Sequence, residues 1–527
     1  MLATIASSVV QGVDGHPVTV EVHVSNGLPS YTLVGLPDAS CRESRDRVRA
    51  AILSSGYRWP ARRVTINLAP SGLRKQGASL DLPIALGILA ASDQIEGAVL
   101  EPFGAIGELG LDGSVRPVPG LVSLADSVEA PELLVPAHGA VQAAVVRAGP
   151  VRAVDDLSQL LASLNGSGPL PPLVEATPPP GPEEGAWPGD LAEVRGQPLA
   201  RWALEVAAAG GHHLLMIGPP GAGKTMLASR LVGLLPPLSR DQAVATTRVH
   251  SAAGLPVPEC GLVRHPPFRA PHHGASMVAL VGGGTAAMRP GEISCAHNGV
   301  LFLDELGEFP VPVLDSLRQP LEEGLVRVSR AARSVTLPAR FQLVAAMNPC
   351  PCGEGGAPGL CRCSDPARSR YARRLSGPLL DRFDLRIEVR PPSSETLLGG
   401  EAEESTAVVA ERVAAARAQA RHRGVRCNAE LSPAALDEAA PLSDGAVAIL
   451  RAELERGALT GRGLRRVRAV ARTIADLRDA DGVGRIPLDG DTVRAALTLR
   501  ATPRTVLGVA ASPSSPASRA CAREAGR

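Results

Sequence analysis

Aromatic side chains are scarce in this chain, where three Trp, three Tyr and six Phe make up 2% of 527 residues. That excludes a surface that grips nucleic-acid strands mainly by stacking bases on aromatic rings. Lysine is scarcer still: Lys75 and Lys224 are the two lysines among 54 Lys and Arg residues. Net charge is also small, at +1, so there is no global basic footprint, and any nucleic-acid binding has to come from local arginine clusters. No apolar run reaches the ~18 residues needed to span a bilayer, and the opening MLATIASSVVQGVDGHP has no basic segment ahead of an apolar one. A cytoplasmic location is expected. Nine cysteines are too few to staple a chain of this length.

What is present is the composition of a folded protein, with 45% hydrophobic and 20% charged residues. The length predicts roughly two to four domains. The stretch GPLPPLVEATPPPGPEEGAWPGD is dominated by Pro, Gly and Glu and predicts a linker over 166–189, between a first domain over 1–165 and the rest. PVTVEVHVS and RRVTINLAP alternate apolar and polar residues as half-buried strands do, and ASLDLPIALGILAAS has the apolar density of a buried helix. After the linker, an α/β core is expected over 190–395 and a helical domain, rich in Ala, Leu, Arg and Glu, over 396–500. The tail 501–527 reads as disordered.

The segment GPPGAGKT comprises Gly218, Pro219, Pro220, Gly221, Ala222, Gly223, Lys224 and Thr225. It follows the apolar strand HHLLMIG and precedes the helical KTMLASRLVGLL. Glycines in that place let successive backbone N–H groups converge on phosphate oxygens at a helix N-terminus. A compact ammonium on a flexible stem follows the β and γ phosphates where a planar guanidinium is too bulky, which explains a lysine kept in an arginine-rich chain. Downstream, GVLFLDELGEF ends an apolar strand in Asp304 and Glu305. Asp304 with Thr225 is suited to Mg²⁺, and Glu305 to polarising an attacking water. FQLVAAMNP is a third buried strand ending at Asn348, which is either a turn residue or one that orients that water. Arg382 in PLLDRFDL is flanked by Leu379, Leu380 and Phe383 and suits a rigidly held arginine finger.

These motifs, with DLAEVRGQ, FRAPHHGAS, RPGEISCAHNGVLFLDE, VRVSRAARSVTLPARFQLVAAMNPCPCG, RLSGPLLDRFDL and VARTIADL, resemble the AAA+ ATPases. More narrowly they resemble the magnesium-chelatase-like group that contains the ComM and YifB proteins. The likeness runs over about residues 1 to 500. It implies a ring-forming, probable hexameric homo-oligomer that binds ATP and Mg²⁺ in composite sites between subunits. It also implies Lys224 and Thr225 as Walker A contacts, Asp304 and Glu305 as the Walker B pair, Asn348 as sensor 1, Arg382 as the finger and Arg462 as sensor 2. An inserted segment is expected around 244–299. ComM-type proteins resemble DNA helicases that drive branch migration during natural transformation, so single-stranded or branched DNA is the expected partner. Arg327, Arg330, Arg333 and Arg340 recur along an expected hairpin that such a ring would aim into its pore. Arg330 and Arg333 fit contacts to DNA phosphates, or else solvated or intersubunit ion pairs. The alternative function is a metal-chelatase-type or other remodelling ATPase acting on a protein. Chelatase motor subunits are expected to lack both the first domain and the CPCG segment.

In the first domain, LRKQGASLDLPIALGIL resembles the serine-bearing segment of the Lon protease domain, with Ser79 at the nucleophile position. The lysine base of that family falls at Val122 here, and a valine accepts no proton. The expected fold class is therefore α/β: a Lon-like N-terminal domain without peptidase activity, an AAA+ P-loop core and a helical C-terminal lid. Ser79 is expected as a helix cap. Cys350, Cys352, Cys361 and Cys363 form two C-x-C pairs. They suit a tetrahedral Zn²⁺ site, reduced thiols or a disulfide, and C-x-C is tighter than the usual structural zinc spacing. His272 and His273 suit a metal site or a base, but in the inserted segment a structural or interface role is expected of them.

Overall fold

The alternating stretches of the first domain form the strands they predict. The computed structural model describes residues 1–175, 189–258, 261–284, 288–330, 333–354, 361–399, 403–479 and 487–500. The strands Leu2–Gln11, Asp14–Ser25, Ser30–Val34, Arg63–Ala69, Phe103–Ala105, Glu132–Pro136 and Val151–Val154 build a seven-stranded mixed sheet. Its spatial order is third, fourth, second, first, fifth, sixth, seventh. Because side chains alternate along a strand, Ile5 and Val9 face the helices Ala39–Ser54 and Asp81–Ala91, whereas Ala6 and Val10 face Leu121–Ser127 and Ala140–Val146. Every residue of Asp81–Ala91 is buried, as its apolar density predicts. Pro172 and Val174, at the start of the expected linker, run beside the edge strand and exchange backbone hydrogen bonds with Ala153 and Val151. The stretch 176–188 of that linker and the tail 501–527 lie outside the described residues.

Ser79 does not cap the helix that follows it, contrary to expectation. The N-cap is Leu80, in a right-handed helical conformation and without a side-chain bond. The Ser79 hydroxyl instead points back into the sheet and donates weakly to the Ser8 carbonyl, at 3.4 Å. Val122 is buried in Leu121–Ser127. Lys75 is also fully buried, with its ammonium donating to the Pro70 carbonyl, and burial lowers its pKa.

In the second α/β unit, five parallel strands run in the order Phe268–Arg269, Val300–Leu303, Gln342–Met347, Leu214–Ile217, Leu385–Glu388. The three central strands are buried at every residue, which explains their continuous apolar sequences. Leu214, Met216, Phe302 and Ala346 face a cluster completed by helices Pro198–Gly210, Lys224–Leu234 and the C-terminal helical unit. Leu215, Ile217, Leu303 and Met347 face the opposite cluster, which takes in the inserted segment and Val13 of the first domain. That first domain is docked directly on the core. Gly120 N–H donates to the Ser251 carbonyl at 2.9 Å, Arg248 pairs with Asp126, and Gly12 packs so closely on Val335 that a Cβ there would come within 2.3 Å of its Cγ1.

The C-terminal helices Thr406–His422, Pro433–Ala439, Asp444–Glu455, Gly461–Arg478 and Gly490–Thr498 are tied to the sheet through Asp384. This buried carboxylate accepts from the His213 N–H at 2.9 Å and pairs with Arg466 of the long helix. Burial alone would raise its pKa, but Arg466, His212 and His213 outweigh that and hold it well below the usual carboxylate range. His212 continues the network to Thr473 at 2.9 Å, and Asn428 joins Thr473 to Asp476. Among the described residues no helix is long and apolar enough to cross a membrane. Asp384→Asn is expected to destabilise the protein by about 3 kcal/mol at neutral pH, since it leaves Arg466 without its buried partner. A group with a depressed folded-state pKa stabilises fully above its unfolded value of about 4 and loses that contribution as pH falls. Melting curves of wild type and variant should therefore converge in acid, and a gap that persists there contradicts the assignment.

Candidate nucleotide site

The strand Leu214–Ile217 leads into Gly218, whose N–H donates to the Met347 carbonyl at 3.2 Å. Gly221 and Gly223 then take left-handed backbone conformations, at φ +76° and +83°, which side-chain-bearing residues resist. The chain curls back and enters the helix Lys224–Leu234 with Gly223 as N-cap and no side chain on its first N–H groups. The resulting cleft has a volume of about 390 Å³ and is lined by residues 220–226, Asp304, Glu305, Met347 and Asn348. The strand-end residues expected from sequence thus meet in one place.

Lys224 is at the centre of this cleft. Its Nζ donates to the Gly218 and Pro219 carbonyls, each at 2.8 Å, and to Asn348 Oδ1 at 3.2 Å. Burial pushes its pKa down, against the pull of Asp304 and then Glu305. Asn348 is therefore more than a turn residue, because its side chain touches the P-loop lysine. Thr225 Oγ1 donates to Asp304 Oδ2 at 2.6 Å, which brings together the hydroxyl and carboxylate that would hold Mg²⁺. Glu305 has φ +51°, an unusual backbone for a non-glycine residue. Its N–H donates to Asp304 Oδ1 at 2.9 Å.

His273, which the sequence offered as a metal ligand or a base but more readily as a structural or interface residue, lies against Glu305, with Nδ1 2.9 Å from Oε2. His272 packs on its ring at a centroid distance of 4.0 Å, and Phe309 meets it edge-on. The signal was the pair's place in the inserted segment, but only the packing of that segment over the end of Val300–Leu303 connects the two.

Arg382 and Arg462 do not line the cleft. Arg382 is buried, pairs with Glu322, and keeps an Nε with no partner among the described residues. Its pKa is lowered by burial first and then by Arg466, Arg462 and Arg318. Arg462 is exposed in the first turn of Gly461–Arg478. The hairpin forms from Leu325–Arg330 and Arg333–Pro338, with Arg330 opposite Arg333 as its last pair. The side chains of both lie outside the described residues. Arg327 pairs with Glu323 at 3.1 Å, and Arg340 falls beyond the hairpin, where its N–H donates to His297. The four cysteines do converge, with all four sulfurs within 4.8 Å of one another. Among the described residues no disulfide is formed. The Cys352 thiol is pulled down to about 6, first by the Glu354 N–H and then by Cys350, while Cys363 is pushed up to about 12, chiefly by Cys352.

Residues 190–397 match the family model described as magnesium chelatase, subunit ChlI, and 403–504 match its C-terminal model. A third model, subunit ChlI of Mg-chelatase, matches 20–138. YifB of Escherichia coli is 44% identical over 90% of this chain and 93% of its own length. The competence protein ComM of Haemophilus influenzae is 44% identical over 90% and 94%. The chain belongs to the magnesium-chelatase-like AAA+ family of YifB and ComM. A partial likeness to Lon protease 2 of Bacillus subtilis, 32% identical over 157 residues, covers 27% of either chain.

For this AAA+ family member, Lys224→Ala is expected to abolish ATP binding, and Glu305→Gln to keep binding while lowering kcat by at least about a hundredfold. His273→Ala should lower kcat by about tenfold and leave nucleotide Kd unchanged, as befits a residue that acts through Glu305. Single-turnover hydrolysis and fluorescent-nucleotide titration separate these effects. An unaltered kcat in His273→Ala would remove that histidine from the site.

Proposed function

We propose that this protein is a ring-forming, ATP-driven motor that acts on DNA as a ComM-like helicase and promotes branch migration when an incoming strand is integrated. The reading is carried by its likeness to a protein named for competence, along nearly the whole length of both. Two features support it. The cleft contains Lys224, Thr225, Asp304, Glu305 and Asn348 but neither Arg382 nor Arg462, so a neighbouring copy is the natural source of the remaining positive charge on a γ-phosphate. The hairpin that ends in Arg330 and Arg333 runs on into the strand Gln342–Met347, which ends at Asn348, so the hairpin and the cleft share one continuous stretch of chain. The first domain serves as a scaffold without peptidase activity, because Val122 replaces the base and Ser79 is buried.

A second reading has its own observation. Three family models named for a magnesium-chelatase subunit together span most of the chain, which favours an ATPase that remodels a protein partner. The two readings separate in one assay. ATP hydrolysis is measured without DNA, with single strands, with duplex and with a branched junction, using Glu305→Gln as the blank. The DNA reading predicts the largest stimulation with single-stranded or branched DNA. It also predicts that Arg330→Ala with Arg333→Ala reduces the slope of log K against log salt by about 1 to 2. Hydrolysis indifferent to every DNA favours the protein-remodelling role. Glu305→Gln with ATP should also trap an assembled ring, read by light scattering.

A further inference from the structure

Sulfur geometry separates the states left open for the four cysteines. The Sγ atoms of Cys350 and Cys352 lie 3.3 Å apart, those of Cys350 and Cys361 3.9 Å, and those of Cys352 and Cys361 3.6 Å, with Cys363 inside the same 4.8 Å cage. A zinc–thiolate bond of about 2.3 Å makes each edge of a tetrahedral site about 3.8 Å. The cage therefore fits one metal ion. A cubane iron–sulfur cluster, which places iron and sulfide between its thiolates, needs a wider one. Four cysteines gathered this tightly have little apolar reason to meet, since Cys352 is exposed and Cys361 and Cys363 are half-buried.

The cage also stands among the three loops of the nucleotide site. Cys350 follows Asn348 by two residues, and Asn348 accepts from Lys224. Gly353, at φ +89°, lies flat on the P-loop, where a Cβ would come within 2.5 Å of Pro220 Cδ. Helix Asp365–Arg373 starts two residues after Cys363 and places Tyr371 on Gly307, just past Glu305, where a Cβ on that glycine would come within 2.6 Å of the ring. Arg374 at the helix end donates to the Gly307 carbonyl at 2.6 Å. The sequence GEGGAPGL between Cys352 and Cys361 is rich in Gly and Pro, which disfavour regular helix and strand.

We propose that Cys350, Cys352, Cys361 and Cys363 bind one Zn²⁺, which clamps this connection and thereby sets the P-loop, Asn348 and the Glu305 turn relative to one another. The clamp does not depend on what the motor acts on, so its test needs no DNA. Full-length protein purified under reducing conditions without chelator should carry one zinc per chain by elemental analysis. Replacement by Co²⁺ should give the intense visible d–d bands and sulfur-to-metal charge transfer of a tetrahedral tetrathiolate. Cys361→Ser with Cys363→Ser should lose the metal and raise nucleotide Kd by roughly tenfold, in line with the loss of a site's supporting shell. If that double variant does not fold, the exposed Cys352→Ser keeps the test alive, because its Co²⁺ spectrum should weaken and shift as a thiolate is lost. Absence of zinc from wild type with no uptake of Zn²⁺ or Co²⁺, stoichiometric iron in its place, or an unchanged Co²⁺ spectrum in Cys352→Ser would each overturn the site. A full complement of zinc with nucleotide Kd unmoved by its loss would overturn the clamp.

Discussion

The Lys224 ammonium is the interaction on which the arrangement of the nucleotide site depends. A charge taken out of water needs partners, and here it finds them in two P-loop carbonyls and in Asn348 at the end of the neighbouring strand. The Asn348 contact joins two strands of the sheet across the cleft. It also means that any anion entering the cleft would compete for an ammonium already engaged with Asn348. Thr225 and Asp304 repeat the pattern on the metal side, joining the same helix to the end of the next strand, Val300–Leu303.

From that cleft the structure leads in two directions. On one face of the five-stranded sheet, alternate residues of the buried strands pack on the helices behind the P-loop and on the C-terminal unit, and Asp384 with Arg466 and His212 locks that unit to the sheet. On the other face, the complementary residues pack on the inserted segment, the hairpin and Val13 of the first domain. The strict alternation of Leu214, Leu215, Met216 and Ile217 between these two clusters explains how one short strand serves both.

Much of this was legible because the signals are local. A strand, a glycine-rich turn and a helix in succession specify a phosphate loop through backbone stereochemistry, and four apolar residues ending in Asp304 and Glu305 specify a buried strand with its acids at the edge. Periodicity located the strands of the first domain and the helices of the last for the same reason. Readings that depended on where a chain turns in space fared less well. Ser79 was expected as a cap, but the helix begins one residue later and its hydroxyl turns into the sheet. Arg340 was grouped with the hairpin arginines, but the last hairpin residue is Pro338.

By itself, then, the sequence determined the order of elements, the phosphate loop, the acidic pair and the family to which the chain belongs, all of which rest on neighbours a few residues apart. Only the tertiary structure decided which distant residues touch. It brought His273 onto Glu305, the buried Arg382 onto Glu322, Gly353 onto Pro220 and the first domain onto helix Arg240–Ala253. The physical reason is that such contacts join segments whose separation along the chain leaves no periodic trace, and they form because the sheet and its two apolar clusters bring the loops at its edge into one place.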